Sequence, residues 1–210
     1  MPTSLIVVDD FLQNAAELRA AALQLKYPDL QGTFPGRNSL ERVPIEGLAQ
    51  QVSRLVGEPL RDMSPPGSHA KFRITLAADV GRAQVHIDPA HGSGILYLSR
   101  AQDCAGDAEF LRRRATGSDR VALNAAELAA GYSSMDEMHR EIIEKYSVDD
   151  SKWGRTMQVP MRFNRLVLLR PWLWHTAGPP FGDSLENGRL VKLMFSCRHT
   201  TGHVSSLREQ

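Results

Sequence analysis

Hydrophobic and polar positions along the chain fall into two textures. Up to about residue 69 the apolar residues recur mostly at helical spacing. Phe11, Leu12, Ala15, Leu18, Ala22 and Leu25 form one such stripe, and Asp10 precedes it as a candidate N-cap. That helix is predicted to end before Pro28. A second helix is predicted from about Pro44, a favourable first-turn residue. It places Ile45, Leu48, Val52 and Leu55 on one face and stops at Gly57. Ahead of both, Leu5 to Val8 reads as a short buried strand. Between them, Gly32 to Ser39 has no periodicity and carries a Pro35-Gly36 turn signal.

From Ala70 the period becomes two. Phe72, Ile74 and Leu76 alternate with Lys71, Arg73 and Thr75. Further strands are predicted at Val85-His86-Ile87, at Ile95 to Leu98 after a Gly92-Ser93-Gly94 turn, and at Ala108 to Leu111. More follow at Thr156 to Val159, Arg165 to Arg170 and Arg189 to Arg198. In the last of these, Val191, Leu193 and Phe195 share one face, and Leu190, Lys192 and Met194 the other. Between about residues 115 and 155 the texture turns helical. Asn124-x-x-Glu127 and Ser134-x-x-Glu137 read as capping boxes, with Gly131 between the two helices. His139, beside the stripe Met138, Ile142 and Tyr146, is expected on a helix surface. About eight short strands with regular turns predict a mainly β fold with flanking helices. The specific expectation is a double-stranded β-helix, or jelly roll, over residues 70–198. Residues 1–69 would be its helical support, and the insertion either a lid or an external decoration.

Composition narrows the picture only a little. At 210 residues the chain suits one domain, 1–210, with a full core. A net charge of +1 provides no long-range attraction to nucleic acid or to an anionic membrane. The run Arg112-Arg113-Arg114 is expected on a solvated face. Cys104 and Cys197 read as two thiols. Leu5 to Val8 is too short for a signal core or a membrane span, so a cytoplasmic location is expected.

The candidate chemistry starts at His86-x-Asp88. A two-residue step returns side chains to one face of a strand, so both groups can point into a barrel mouth. His175 closes the run Arg170 to Trp174 far along the chain. Two imidazoles and one carboxylate can hold a non-haem Fe(II) on one face and leave its other positions open. Arg189 begins the next strand on the face of Val191, Leu193 and Phe195. A guanidinium there could pair with a carboxylate in bidentate fashion. Lys192 falls on the opposite face.

The order of His86-x-Asp88, Gly94-Ile95-Leu96-Tyr97-Leu98, His175, and Gly188-Arg189-Leu190 with Phe195 resembles the Fe(II)/2-oxoglutarate-dependent oxygenases. Gly106 to Phe110 and Phe163 to Val167 look like a small, uncharacterised bacterial branch of that superfamily. The resemblance covers about residues 70 to 198. It implies His86, Asp88 and His175 as catalytic iron ligands and Arg189 as the anchor of 2-oxoglutarate. Arg73 and Tyr97 are candidates for further cosubstrate contacts. It also implies consumption of O2, with decarboxylation of 2-oxoglutarate coupled to C–H hydroxylation, or to desaturation or cyclisation. Asp88 stands where related halogenases have a small residue, which favours hydroxylation over halogenation.

Arg37, Asn38 and Trp174 are the candidate substrate contacts: Phe34, Arg37, Asn38 and Ser39 lie in a loop that could reach the barrel mouth, and Trp172 and Trp174 flank His175. An arginine with amides and hydroxyls suits a small molecule such as an amino acid or an amino-acid-derived or peptide intermediate. A carrier-bound substrate and a homodimer stay open. Two other classes compete with this reading. One is a cupin-type metal enzyme using His86, His91 and His175 without 2-oxoglutarate, although His91 follows a Pro89-Ala90 turn and is expected in solvent. The other is a non-catalytic jelly-roll binding module.

Overall fold

The longest strand explains the architecture. The computed structural model describes residues 3–29, 32–122, 124, 126–127, 134, 137–138 and 140–199. In chain order it runs β1 (Leu5–Val8), α1 (Ala15–Leu23), β2 (Arg37–Asn38), α2 (Leu48–Val56), β3 (Leu60–Asp62), β4 (Phe72–Thr75), β5 (Gly92–Tyr97) and β6 (Asp107–Arg113). A π-helical turn (Arg140–Lys145) and a 3-10 turn (Asp150–Lys152) follow. The chain then continues through β7 (Trp153–Pro160), β8 (Leu166–Leu169), β9 (His175–Thr176) and β10 (Arg189–Arg198). β10 pairs with β5 on one side and with β4 and β3 on the other, at the centre of an antiparallel sheet ordered β1-β8-β5-β10-β4-β2. A smaller antiparallel sheet is ordered β7-β6-β9. The chain is mainly β, as its period-two texture predicts.

The two faces of β10 serve different layers. Leu190 and Met194 join Phe72, Ile74, Leu96 and Leu166 in a core covered by α1 and α2. Val191 and Leu193 turn to the smaller sheet and meet Tyr97, Ala108 and Phe110. β8 is apolar at every position because it is covered on both sides: Leu166 and Leu168 face the helices, Val167 and Leu169 the second sheet.

Several expectations are corrected, each for a local reason. α1 starts at Ala15 behind Asn14, not behind Asp10. Asp10 has a left-handed backbone (φ 51°). The next amides are taken by Asn164: Phe11 N–H donates to its backbone oxygen (3.0 Å) and Leu12 N–H to its Oδ1 (2.9 Å). α2 starts at Leu48, after Gly47 in the left-handed region, and stops at Gly57 as expected. Gly92-Ser93-Gly94 is not a turn but the start of β5. A Cβ on Gly94 would stand 3.0 Å from the Leu168 side chain, so the glycine permits close packing. β1 lies at a sheet edge, with Val7 exposed. Arg113 is buried and pairs with Glu141, because the period-two alternation of β6 turns it inward while Arg112 and Arg114 stay exposed. Both cysteines are free.

In the insertion, Glu127 N–H donates to Asn124 Oδ1 (2.9 Å) and Glu137 N–H to Ser134 Oγ (3.1 Å), the caps that the sequence predicts. Gly131 and His139 lie outside the described residues. Met138, Ile142 and Ile143 pack with Ala83, Val85, Trp153 and Trp174, so this segment buttresses the stretch leading to His86. Among the described residues no helix is long and apolar enough to cross a membrane.

Lys192 is the one lysine sealed in the helix-side core among the described residues. Its ammonium donates to Val43 O and Ala70 O (3.1 Å) and lies 4.4 Å from the Phe72 ring centroid. Burial pushes its pKa down from 10.5 to about 8. Between these values the unfolded chain holds a proton that the folded one has released, so stability rises with pH across that window and is flat below it. Urea unfolding of wild type and Lys192→Met from pH 7 to 10.5 is expected to show that rise, up to about 3 kcal/mol, in wild type alone. Parallel curves would contradict it.

Candidate metal centre

Two backbone hydrogen bonds bring the distant histidines together. His86 N–H donates to His175 O (2.9 Å) and His175 N–H to His86 O (3.1 Å), a closed antiparallel pair. The strand expected through Val85-His86-Ile87 is reduced to this one bridge. Its neighbours are bonded elsewhere, Val85 N–H to Ser147 O and Asp88 N–H to Pro171 O. Directly paired residues place their side chains on the same face, and the two imidazole centroids are 4.4 Å apart. Asp88 returns to that side two residues later.

Both rings are set in the same way. Nδ1 of His86 bonds to Gln84 O and Nδ1 of His175 to Leu173 O, each at 2.8 Å. A carbonyl can only accept, so each Nδ1 carries a hydrogen and each Nε2 is the nitrogen available to ligate once it is unprotonated. Those nitrogens meet Asp88: His86 Nε2 lies 3.7 Å from Oδ1 and His175 Nε2 3.4 Å from Oδ2. One donor atom from each residue lies within 4.8 Å of the other two. Ligands about 2.1 Å from an ion and roughly 90–120° apart stand about 3–3.6 Å from each other. The donor set therefore fits one metal ion.

Electrostatics favours the ligating forms of His86 and Asp88 and, in the metal-free chain, a proton on His175. Burial and the neighbouring His175 push the His86 pKa down to about 4, so its ring is neutral. Burial opposes ionisation of Asp88, but hydrogen bonds and charge from the histidines and Ser93 outweigh it and hold the carboxyl well below the usual range. Ser93 Oγ–H donates to Asp88 Oδ2 at 2.6 Å. Asp88 in turn raises the His175 pKa against its burial, so a metal ion would bind there by displacing the His175 Nε2 proton.

The three groups form one wall of a cavity of about 640 Å3, and β10 contributes Arg189, Val191, Leu193 and Phe195 to another. Arg189, only 3% exposed, starts β10 opposite Thr75. Its guanidinium carbon lies 5.8 Å from the centroid of the Tyr97 ring. Arg189 Nε and Nη2 and the Tyr97 hydroxyl are buried without a hydrogen-bond partner among the described residues. Leaving such donors unmet costs about 1–3 kcal/mol each.

The other expected site residues are placed differently. Arg73 lines the cavity, but its donors go to Phe34 O, Pro35 O and Asn38 Oδ1, so it does not offer a cosubstrate its fork. Arg37 pairs with Asp79 (3.6 Å), and Asn38 bonds to Ser68 and Arg73; both sit on β2, off the cavity wall. Trp174 is 2% exposed against Trp153, because its neighbour His175 takes the cavity face. Trp172 stands beside Arg170 instead. His91 is half-buried rather than solvated, in a network with Glu58 (2.8 Å) and Arg170 (3.2 Å), so the set His86, His91 and His175 is not assembled. Two contacts lie outside the sequence expectations. Ser93 on Asp88 is legible in principle, since it alternates with Ile95 and Tyr97 on the cavity face. Phe34 reaches the cavity, as its loop is expected to, but its contact with His86, with ring centroids 4.3 Å apart, has no signal in the sequence.

Fold and site together define a mainly β protein with a His-Asp-His cluster able to hold a metal ion at the wall of a cavity. The chain belongs to the family described as "Family of unknown function (DUF6445)", whose profile matches residues 2–195. Among solved structures it is similar to HygX from Streptomyces hygroscopicus with nickel, 2-oxoglutarate and hygromycin B bound. That match has 13% identity and a TM-score of 0.54, and covers 95% of this chain and 84% of the other. HygX with nickel and 2-oxoglutarate matches over the same shares at 14% identity and a TM-score of 0.46. The first likeness shows a shared fold. No curated protein matches the chain.

Proposed function

We propose that the protein is a non-haem Fe(II)- and 2-oxoglutarate-dependent dioxygenase that oxidises a small molecule. In this reading residues 1–210 form one oxygenase domain, and its two sheets are the faces of a double-stranded β-helix. The observation that carries the proposal is the buried, unmatched guanidinium of Arg189 in the same cavity as His86, Asp88 and His175. A buried cation is normally paired, and a planar fork matches a carboxylate. A metal-binding module without a carboxylate cosubstrate has no use for it. The protein of similar fold, HygX, was solved with nickel and 2-oxoglutarate bound, which agrees with this assignment.

His86, Asp88 and His175 would hold the iron through Nε2 and carboxylate oxygens, and Arg189 with the Tyr97 hydroxyl would hold the distal carboxylate of 2-oxoglutarate. Iron and cosubstrate supply the oxidation: O2 is consumed, 2-oxoglutarate leaves as succinate and CO2, and a substrate C–H bond is hydroxylated, or oxidised by the related desaturation or cyclisation. The chain's own part is orientation. Ser93 holds one oxygen of Asp88, the two backbone carbonyls fix the histidine tautomers, and Val191, Leu193 and Phe195 keep the interior apolar.

Anaerobic titration with Fe(II) and then 2-oxoglutarate tests the proposal. The weak visible charge-transfer band of the chelate is the expected result. Iron-loaded, folded protein without that band would favour a metal enzyme that does not use 2-oxoglutarate.

A further inference from the structure

The cavity wall beside His86 is made by a loop for which neither the donor set nor Arg189 accounts. The Phe34 ring is tilted by 42° to that of His86, with centroids 4.3 Å apart. Phe34 also borders the cavity and packs on the cluster that contains Val85 and Trp174. The single hydrogen bond from Nδ1 to Gln84 O fixes the tautomer of His86, and the His175 ring bounds it on one side (4.4 Å), which leaves the side of Phe34 to set its tilt. The tilted aromatic ring of Phe34 packed beside it restricts that tilt.

The loop depends on Arg73 for its position. Nε of Arg73 donates to Pro35 O (3.0 Å), one terminal nitrogen to Phe34 O (2.7 Å) and Pro35 O, and the other to Asn38 Oδ1 (2.8 Å). The floor beneath is as close as backbone allows. Gly36 has φ +93°, and a Cβ there would stand 2.3 Å from Thr75 Oγ1; one on Gly81 would stand 2.4 Å from Pro35 Cδ. Ala83 N–H closes the far side on Thr33 O (2.9 Å). Both ends and the underside of the turn are thus held, and the guanidinium is the central tie.

We propose that Arg73 is a positioning residue that clamps the Phe34-Pro35 turn, and that Phe34 sets the plane of His86 and the width of the cavity beside it. This rests on the metal site proposed above. Lysine cannot replace the clamp, because a point charge on a flexible stem lacks the planar fork that spans two carbonyls. Leucine at position 34 keeps bulk but not a flat face, and alanine keeps neither.

The test uses Co(II) as the probe, followed by absorbance with the full chain and without cosubstrate or substrate. Apoprotein unfolding and 2-oxoglutarate affinity at saturating Co(II) are measured alongside. Arg73→Lys and Phe34→Ala are each expected to weaken Co(II) binding about tenfold, as for other residues that orient a ligand. Phe34→Leu should lose about threefold, and 2-oxoglutarate affinity of the metal-loaded variants should change by less than about threefold. Unchanged Co(II) affinity in folded Phe34→Ala and Phe34→Leu overturns the proposal, whatever the fate of Arg73→Lys. Arg73→Lys that weakens 2-oxoglutarate tenfold or more (about the loss named above) with Co(II) binding intact also overturns it, and makes Arg73 a cosubstrate contact. Failure of the wild type itself to bind Co(II) would instead sink the metal site.

Discussion

His175→Ala is expected to abolish metal binding and, with it, any oxygen-dependent formation of succinate. Changes to residues that merely orient a ligand cost roughly 10–100-fold in affinity, so loss of a ligand should exceed about 100-fold. The fold should survive, because the bridge between positions 86 and 175 is made by backbone atoms that alanine retains. Some stability will still go. The variant removes the nearer of the two imidazoles facing Asp88, at 3.4 Å against 3.7 Å for His86, and leaves a buried carboxylate with fewer partners. That should cost the apoprotein about 1–3 kcal/mol. Metal analysis after reconstitution, unfolding of the apoprotein and succinate release together check the prediction. Iron content and succinate formation that are unaffected by the substitution would remove His175 from the site.

Residues whose roles follow from strand alternation are legible in the sequence. β10 has the predicted bounds, and Arg189 shares the cavity face with Val191, Leu193 and Phe195, because a period of two determines sidedness once one face is buried. The pairing of His86 with His175 is legible too, although from motif order and not from a strand pattern. Contacts that long-range partners decide are not legible. Asp10 has the chemistry of a helix cap, yet Asn164 takes the amides beyond it. Arg73 and Arg37 have the chemistry to bind ligands, but the carbonyls of a neighbouring loop and Asp79 already engage them. An arginine in a sequence states its charge and reach, not which acceptors the fold will bring to it. Trp174 shows the same limit one residue at a time: once His175 faces the cavity, its neighbour must face away.

Arg189→Met should move function and stability in opposite directions. If Arg189 binds the distal carboxylate of 2-oxoglutarate, truncation breaks a buried, hydrogen-bonded charge pair in the complex. Such losses run to about 2–5 kcal/mol, a roughly 30-fold to several-thousand-fold weaker cosubstrate. Co(II) or Fe(II) affinity without cosubstrate should be nearly unchanged, since no donor atom is touched. In the apoprotein the same side chain is a liability. Burial disfavours its charge, Tyr97 and more distantly Asp107 offset only part of that, and Nε and Nη2 lack partners among the described residues. Methionine removes an incompletely compensated buried cation and fills much of its space, so the free protein should gain on the order of 1–3 kcal/mol. Arg189→Lys keeps charge without the fork and should fall between on cosubstrate affinity. An arginine kept for packing would give a different pattern, with stability lost and 2-oxoglutarate affinity untouched. Opposite signs in one variant would mean that Arg189 is held unpaired in the folded chain for the anion it binds.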